Sequence, residues 1–238
     1  MFRLMLPVVA VTLALLPTSP AADDKPIEPF NGKDLSGWKV KNEKQNEWKI
    51  GNPGITDPNS PQLALNKSLE GTRNSLINLL PPKGHGTDIY TEQKFGDVLV
   101  KLEFMVPKGS NSGVYLMGEY EVQILDSYGK ADKDLKPGDM GGIYTFAAPK
   151  TNAAKKPGEW QKLVIEFQAP KFVEETKKAA NAKFIKVTFN DVVIHENVEC
   201  DKVTPGGLTG KEMAEGPLMF QGDHGQVAFR NIKVTPRK

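Results

Sequence analysis

Along most of this chain apolar residues recur at every second position, in short runs separated by turn residues. The runs are 47–50, 76–80, 88–91, 98–106, 113–117, 120–125, 161–168, 184–190, 192–197, 218–221 and 227–234. Side chains two apart on an extended chain share a face, so each run predicts a strand with one side in a core. The run from Val98 is the clearest. Val98, Val100, Leu102 and Phe104 fall on one side, and Leu99, Lys101, Glu103 and Met105 on the other. Lys186, Thr188 and Asn190 alternate with Val187 and Phe189, after which Asn190-Asp191 turns the chain into Val192-Val193-Ile194. That is a hairpin. No window of comparable length carries a helical period. The charged, alanine-rich stretch 174–182 has no apolar stripe and reads as a solvated loop. So many short strands, punctuated by 22 glycines and 18 prolines, predict an all-β sandwich or jelly roll.

One run puts polar groups where a strand should be greasy. In Tyr120-Glu121-Val122-Gln123-Ile124-Leu125, Val122 and Ile124 can enter a core while Glu121 and Gln123 project together from the opposite face. Such a pair is either the wet side of an antiparallel sheet or the floor of a site.

Composition narrows the choices. With 39% hydrophobic and 25% charged residues the chain can bury a core. A net charge of +2, from 31 basic and 29 acidic residues spread along the chain, gives no reason to expect nucleic acid or an anionic membrane as a partner. Cys200 is the single cysteine, so no intramolecular disulfide is expected; Glu199 and Asp201 beside it disfavour a thiolate. Met1-Phe2-Arg3, the apolar run 4–16 and the small residues Ala21 and Ala22 have the layout of a signal peptide over 1–22. That run is shorter than the roughly 20 residues a bilayer span needs, and no later segment is suited to crossing. The expectation is an exported, periplasmic or extracellular protein with one domain over 23–238.

Several motifs occur in a fixed order. Phe30-Asn31-Gly32-Lys33-Asp34-Leu35-Ser36-Gly37-Trp38 opens the domain, and Asn111-Ser112-Gly113-Val114-Tyr115 precedes Tyr120 to Asp126. Gly142-Ile143-Tyr144 and Pro157-Gly158-Glu159-Trp160-Gln161 follow. Gly216-Pro217-Leu218, His224-Gly225 and Val227-Ala228-Phe229-Arg230-Asn231-Ile232 close it. In this order they resemble the 3-keto-disaccharide hydrolase family across nearly all of residues 23–238. The resemblance implies a concanavalin-A-like jelly roll of two packed antiparallel sheets, with a carbohydrate site on the concave face. It also implies a saccharide substrate oxidised at carbon 3. A ketone there acidifies the hydrogen on carbon 2, so a base can remove it, expel the substituent on carbon 1, and let water add to the unsaturated sugar. That route needs a base, a proton donor for the leaving oxygen and something positive near the enolate oxygen. A divalent metal could supply the last. No organic cofactor is called for.

Glu121, mid-motif on a stiff strand, is the first choice for general base or metal ligand. His224, in the turn Gly222-Asp223-His224-Gly225, is the second candidate for acid, base or ligand. Gln123 can donate to a sugar oxygen or polarise the ketone. Asn111, Tyr144 and Gln221 are candidate substrate contacts; a turn-forming Asn111 and a core Tyr144 are the structural alternatives. Asp126, five residues after Glu121, falls on the opposite face unless a bulge brings it round, and ranks lower. Arg230 can pair with Glu121 or another carboxylate. His85 lies in a glycine-flanked loop, and His195, ending a hairpin strand, is expected to be exposed. Three histidines so far apart show no metal-ligand spacing. Trp38, Trp48 and Trp160 are expected mostly in the core.

The same jelly roll houses retaining glucanases, which carry carboxylates at alternate positions of one strand, about 5 Å apart. Here those positions are Glu121, Gln123 and Leu125, only one of them acidic. A two-carboxylate mechanism is therefore not expected. A non-catalytic carbohydrate-binding module remains the competing class. The sequence leaves the oligomeric state open.

Overall fold

A computed structural model describes residues 25–55, 57, 59–66, 74–81, 83–174 and 177–237. Residues 1–22, expected from the sequence to be a signal peptide, lie outside these. In chain order the strands are β1 (Trp38–Val40), β2 (Trp48–Gly54), β3 (Ala64–Asn66), β4 (Ser75–Asn78), β5 (Ile89–Phe95), β6 (Val98–Met105), β7 (Asn111–Leu116) and β8 (Tyr120–Leu125). There follow β9 (Gln161–Gln168), β10 (Lys171–Glu174), β11 (Lys177–Ala180), β12 (Ala182–Phe189), β13 (Val192–Cys200), β14 (Gly216–Phe220) and β15 (Val227–Pro236). Two antiparallel sheets stack as a jelly-roll sandwich. One has five strands in the order β1-β5-β14-β7-β8, the other eight in the order β13-β12-β9-β6-β15-β4-β2-β3.

The alternation seen in the sequence builds the space between them. Trp38, Ile89, Val114, Leu116, Tyr120, Val122, Ile124 and Phe220 reach in from the smaller sheet. Val98, Val100, Leu102, Phe104, Ile165, Phe167 and Phe229 meet them from the larger. Phe220 stacks on Phe229 with centroids 3.9 Å apart, and Tyr120 meets Phe167 at 5.4 Å. Removing such a ring would cost about 3–5 kcal/mol, because the cavity left behind adds to the lost transfer energy. Every residue of β8 that faces away from this core is presented on the outer surface of the five-stranded sheet. Glu121 and Gln123 are among them.

The hairpin at Asn190-Asp191 forms as expected, with φ of 46° and 67°, the left-handed pair that a tight turn between twisted strands requires. Two expectations are corrected. Where a solvated loop was expected over 174–182, β10 and β11 pair as a two-stranded ribbon, fixed by Lys171 on Asp97 at 2.6 Å and Lys178 on Glu212 at 2.8 Å. His195 is not exposed but 2% accessible, because segment 139–147 packs over β13; its Nε2 sits 2.8 Å from the Gly141 carbonyl. Burial lowers its pKa, so the neutral ring donates that bond. Trp38 and Trp48 are in the core, while Trp160 is half-buried on the outer face of the larger sheet. Cys200 is fully buried, and burial pushes its thiol up to about 12. No helix among the described residues is long and apolar enough to cross a membrane.

Candidate active site

The outer face of the five-stranded sheet carries a cavity of about 190 Å³, lined by Asn111, Glu121, Gln123, Tyr144, Gln221 and His224. Tyr115, Pro205 and Gly206 complete it. Register explains the grouping. β7 and β8 pair Tyr115 with Glu121 and Gly113 with Gln123, so Asn111, Gly113, Tyr115, Glu121 and Gln123 all stand on one face. Gln221 continues β14 alongside, its N–H donating to the Gly113 carbonyl at 3.0 Å.

Gly113 makes room for Glu121. A Cβ at position 113 would collide with the Glu121 carboxyl, so only glycine leaves that carboxyl its place across the strand pair. Gly113→Ala is expected to displace the carboxyl and reduce turnover at least tenfold, while far-ultraviolet circular dichroism keeps the β signature. Wild-type kcat in that variant would detach Glu121 from the chemistry.

Two segments wall the cavity. Residues 141–144 run along the free edge of β8. There the Gln123 N–H donates to the Gly142 carbonyl at 2.8 Å, the Gly141 N–H to the Gln123 carbonyl at 2.8 Å, and the Tyr144 N–H to the Glu121 backbone carbonyl at 3.1 Å. This closes an edge that would otherwise be open to pairing and sets Tyr144 beside the acid. Opposite, the strap 204–210 is fastened by the buried carboxylate of Glu119. It accepts from the Thr209 N–H and hydroxyl at 2.7 Å each and from the Gly210 N–H at 3.0 Å. Thr204 joins strap to strand, accepting from the Glu121 N–H at 3.1 Å while donating to the Glu119 carbonyl at 2.9 Å. Gly206, at φ +84°, then passes so close to Tyr115 that a Cβ there would lie 2.8 Å from its hydroxyl.

Glu121 is 1% accessible, and its Oε1 has no hydrogen-bond partner. Burial pushes its pKa up to about 8, against an opposing pull from the Tyr115 hydroxyl; the carboxylates of Asp88 and Asp223 push in the same direction as burial. Near neutral pH the group is mostly the neutral acid. The Asn111 Oδ1 and Gln221 Oε1 are also buried without partners. Three unpartnered oxygens converging on one cavity is a donor-seeking arrangement, because buried acceptors are ordinarily satisfied.

His224 is exposed at the rim, its Nδ1 2.5 Å from the Asp223 carboxylate. A carboxylate on Nδ1 holds that proton there, which leaves Nε2 as the basic nitrogen. Its turn is fixed from below. Asn78 Nδ2 donates to the Gly222 and Gly225 carbonyls at 2.8 and 2.9 Å, and the Gly222 N–H donates to Asp88 at 3.1 Å. Asp88 is itself buried and paired with Lys41 at 3.3 Å.

Two sequence candidates lie elsewhere. Asp126 pins the β6–β7 connection, accepting from the Gly109 N–H at 2.8 Å and the Tyr128 N–H at 3.2 Å, because β8 ends before it. Arg230 lies on the larger sheet, bonded to Glu103 at 2.7 Å with its guanidinium 3.8 Å above Trp160; alternation sends it outward, but from the wrong layer. Tyr115 and Asp88 were missed. Tyr115 shares the parity of Asn111 and Gly113, a signal available in the sequence, whereas Asp88 needs the strand order to come near.

The molecule is a β-sandwich with an acid-bearing cavity on one outer sheet face. The chain belongs to the 3-keto-alpha-glucoside-1,2-lyase-like family, whose sequence profile matches residues 25–235. A solved candidate glycosyl hydrolase from Parabacteroides distasonis ATCC 8503 is 30% identical, with 90% of this chain and 84% of that chain covered at a TM-score of 0.64. A second candidate glycosyl hydrolase from the same organism is 17% identical over 94% of this chain and 99% of its own, with a TM-score of 0.58. The latter speaks for the fold alone. No protein among curated sequences matches.

Proposed function

We propose that this cavity cleaves glycosides whose sugar carries a ketone at carbon 3, by elimination followed by hydration. The observation that carries the reading is the pairing, in one cavity, of a buried carboxyl and a carboxylate-oriented imidazole. His224 takes the carbon-2 proton on Nε2. The electron pair of that C–H bond forms the C1–C2 double bond as the C1–O1 bond breaks, and Glu121 gives its proton to the departing oxygen. Water then adds, its hydroxyl to carbon 1 and a proton to carbon 2. The sequence offered Glu121 as general base or metal ligand and His224 as acid, base or ligand; in this reading Glu121 is the acid and His224 the base. A carboxyl that holds its proton up to about pH 8 is the better donor. Gln123, whose Oε1 is occupied by the Ile124 N–H at 3.1 Å, keeps its amide protons for the ketone oxygen. Asn111 and Gln221 take sugar hydroxyls on their open oxygens.

Among the described residues no group of three or more His, Cys, Asp or Glu side chains is gathered to hold a metal. The unpartnered oxygens of Asn111 and Gln221 could hold a hard divalent cation beside the sugar, leaving Glu121 and His224 free to carry the protons. Bound there, such an ion would stabilise the enolate oxygen. The leader-like residues 1–22 support action outside the cytoplasm.

Elimination and hydration leave a mark that direct displacement does not. In deuterium oxide the released sugar is expected to carry deuterium on carbon 2, with incorporation keeping pace with aglycone release. Release without deuterium at carbon 2 would refute the elimination.

A further inference from the structure

Once Glu121 has given its proton to the departing oxygen, a carboxylate is left buried on β8. Its Oε1 has no partner in this structure, and a buried carboxylate without hydrogen bonds is costly. That charge needs a donor. Asn111 of β7, Gln123 of β8, Tyr144 of the edge segment and Gln221 after β14 line the same cavity. The charged and titratable groups beyond them are His224, Asp223, and Asp88 with its partner Lys41; the two carboxylates oppose a negative charge on Glu121. The Tyr115 hydroxyl favours it, drawing the pKa of the carboxyl down against burial.

The fold places Tyr115 for this. It stands directly across from Glu121 in the β7–β8 register, and β14 holds it from the other side at Met219. The ring is buried, so the hydroxyl hydrogen is the part free to turn. That hydrogen goes to the Pro205 carbonyl, 3.2 Å away, on the strap that glycine at 206 lets come this close. A phenol has one proton to donate. Pro205 is exposed, so its carbonyl can take water when the bond is released. Burial, with the carboxylates of Glu121, Asp88 and Asp223, raises the pKa of Tyr115, and the phenol keeps its proton throughout.

We propose that Tyr115 is the positioning residue of the acid: its hydrogen rests on the Pro205 carbonyl while Glu121 is protonated, and turns to the Glu121 carboxylate as the proton passes to the leaving oxygen. The inference rests on the elimination proposed above, with Glu121 as donor. A bond that forms only as charge develops is stronger in the transition state than in the ground state, so it raises kcat without tightening the substrate. Glu119 contributes at one remove. By fastening Thr209 and Gly210 it keeps the strap, and with it the Pro205 carbonyl, beside Tyr115.

The test is Tyr115→Phe, made in the full wild-type chain and in Glu121→Gln, with a 3-keto-glucoside as substrate. In the wild-type background kcat is expected to fall roughly ten- to a hundredfold, the range of a hydrogen bond to a charged group, with KM within about twofold. The alkaline limb of the activity profile should move to higher pH, because a carboxyl without that donor holds its proton longer. In Glu121→Gln the same change should alter the residual kcat by less than about twofold, whereas a merely structural tyrosine would cost both backgrounds alike. An unchanged kcat, a raised KM alone, or equal losses in both backgrounds would overturn the proposal. Should the wild-type chain turn over no 3-keto-glucoside, the elimination fails by itself, and denaturant titrations of the four proteins decide the hydrogen bond. A Tyr115–Glu121 coupling of roughly three- to tenfold in the folding equilibrium at about pH 9, absent near pH 5, supports it. The same coupling at both values, or none at either, refutes it.

Discussion

Replacing Glu121 with glutamine is expected to abolish most turnover, by roughly a hundred- to ten-thousandfold in kcat, the range a positioned proton donor contributes. Glutamine keeps the shape, and Gly113 still leaves it room, so substrate affinity should change little. The same variant is expected to be more stable than wild type at alkaline pH. The sign follows from the direction of the shift. Burial raises the folded-state pKa of Glu121 from 4.5 to about 8, so between those values the folded chain holds a proton that the unfolded chain has lost. Stability therefore falls as pH rises through that window, and the full cost is reached above about 8. Glutamine has no proton to lose. A gain of about 2–4 kcal/mol at pH 8.5, vanishing near pH 4, is expected in denaturant titrations. Equal stability of the two proteins across pH 4 to 8.5 would mean that the carboxyl titrates as an ordinary surface acid.

His224→Ala is expected to cost a comparable factor in kcat without touching stability, because the ring is exposed and its one structural bond is to its neighbour Asp223. Its turn is held by Asn78 and Asp88, not by the imidazole. Added imidazole should restore part of the lost rate, a rescue that a merely structural histidine would not allow. Asp223→Asn is expected to be milder, roughly tenfold or more, since the ring remains but its tautomer is no longer fixed. It also removes one of the charges that raise the pKa of Glu121, so the alkaline limb of the activity profile should move to lower pH. Undiminished turnover in His224→Ala would leave the base unassigned.

The sandwich was legible where alternation was strong. The run 161–168 is strand β9 to the residue, and the face assigned to Val98, Val100, Leu102 and Phe104 is the face in the core. What escaped was structure set by partners instead of pattern. β1 is three residues long and exists because it pairs with β5 at Trp38↔Thr91. Lys171–Glu174 and Lys177–Ala180 have no buried face to advertise, and their ribbon is fixed by ion pairs to Asp97 and Glu212. The site divides in the same way. Parity along one strand put Glu121 beside Gln123, and the motif blocks named Asn111, Tyr144, Gln221 and His224, all of which line the one cavity. Parity cannot say which sheet a strand joins, and this misdirected Arg230. Asp88 enters the site electrostatically through pairings made across the fold, and no local pattern marks it.

The elimination is tested most directly by incubating the purified protein with a 3-keto-glucoside and with the unoxidised parent, with and without chelator. Aglycone release is expected from the keto compound alone; sensitivity to the chelator would assign a divalent cation to the reaction. Release from the parent at a similar rate would contradict the elimination. No release from either, with calorimetric binding intact, would make the cavity that of a carbohydrate-binding module.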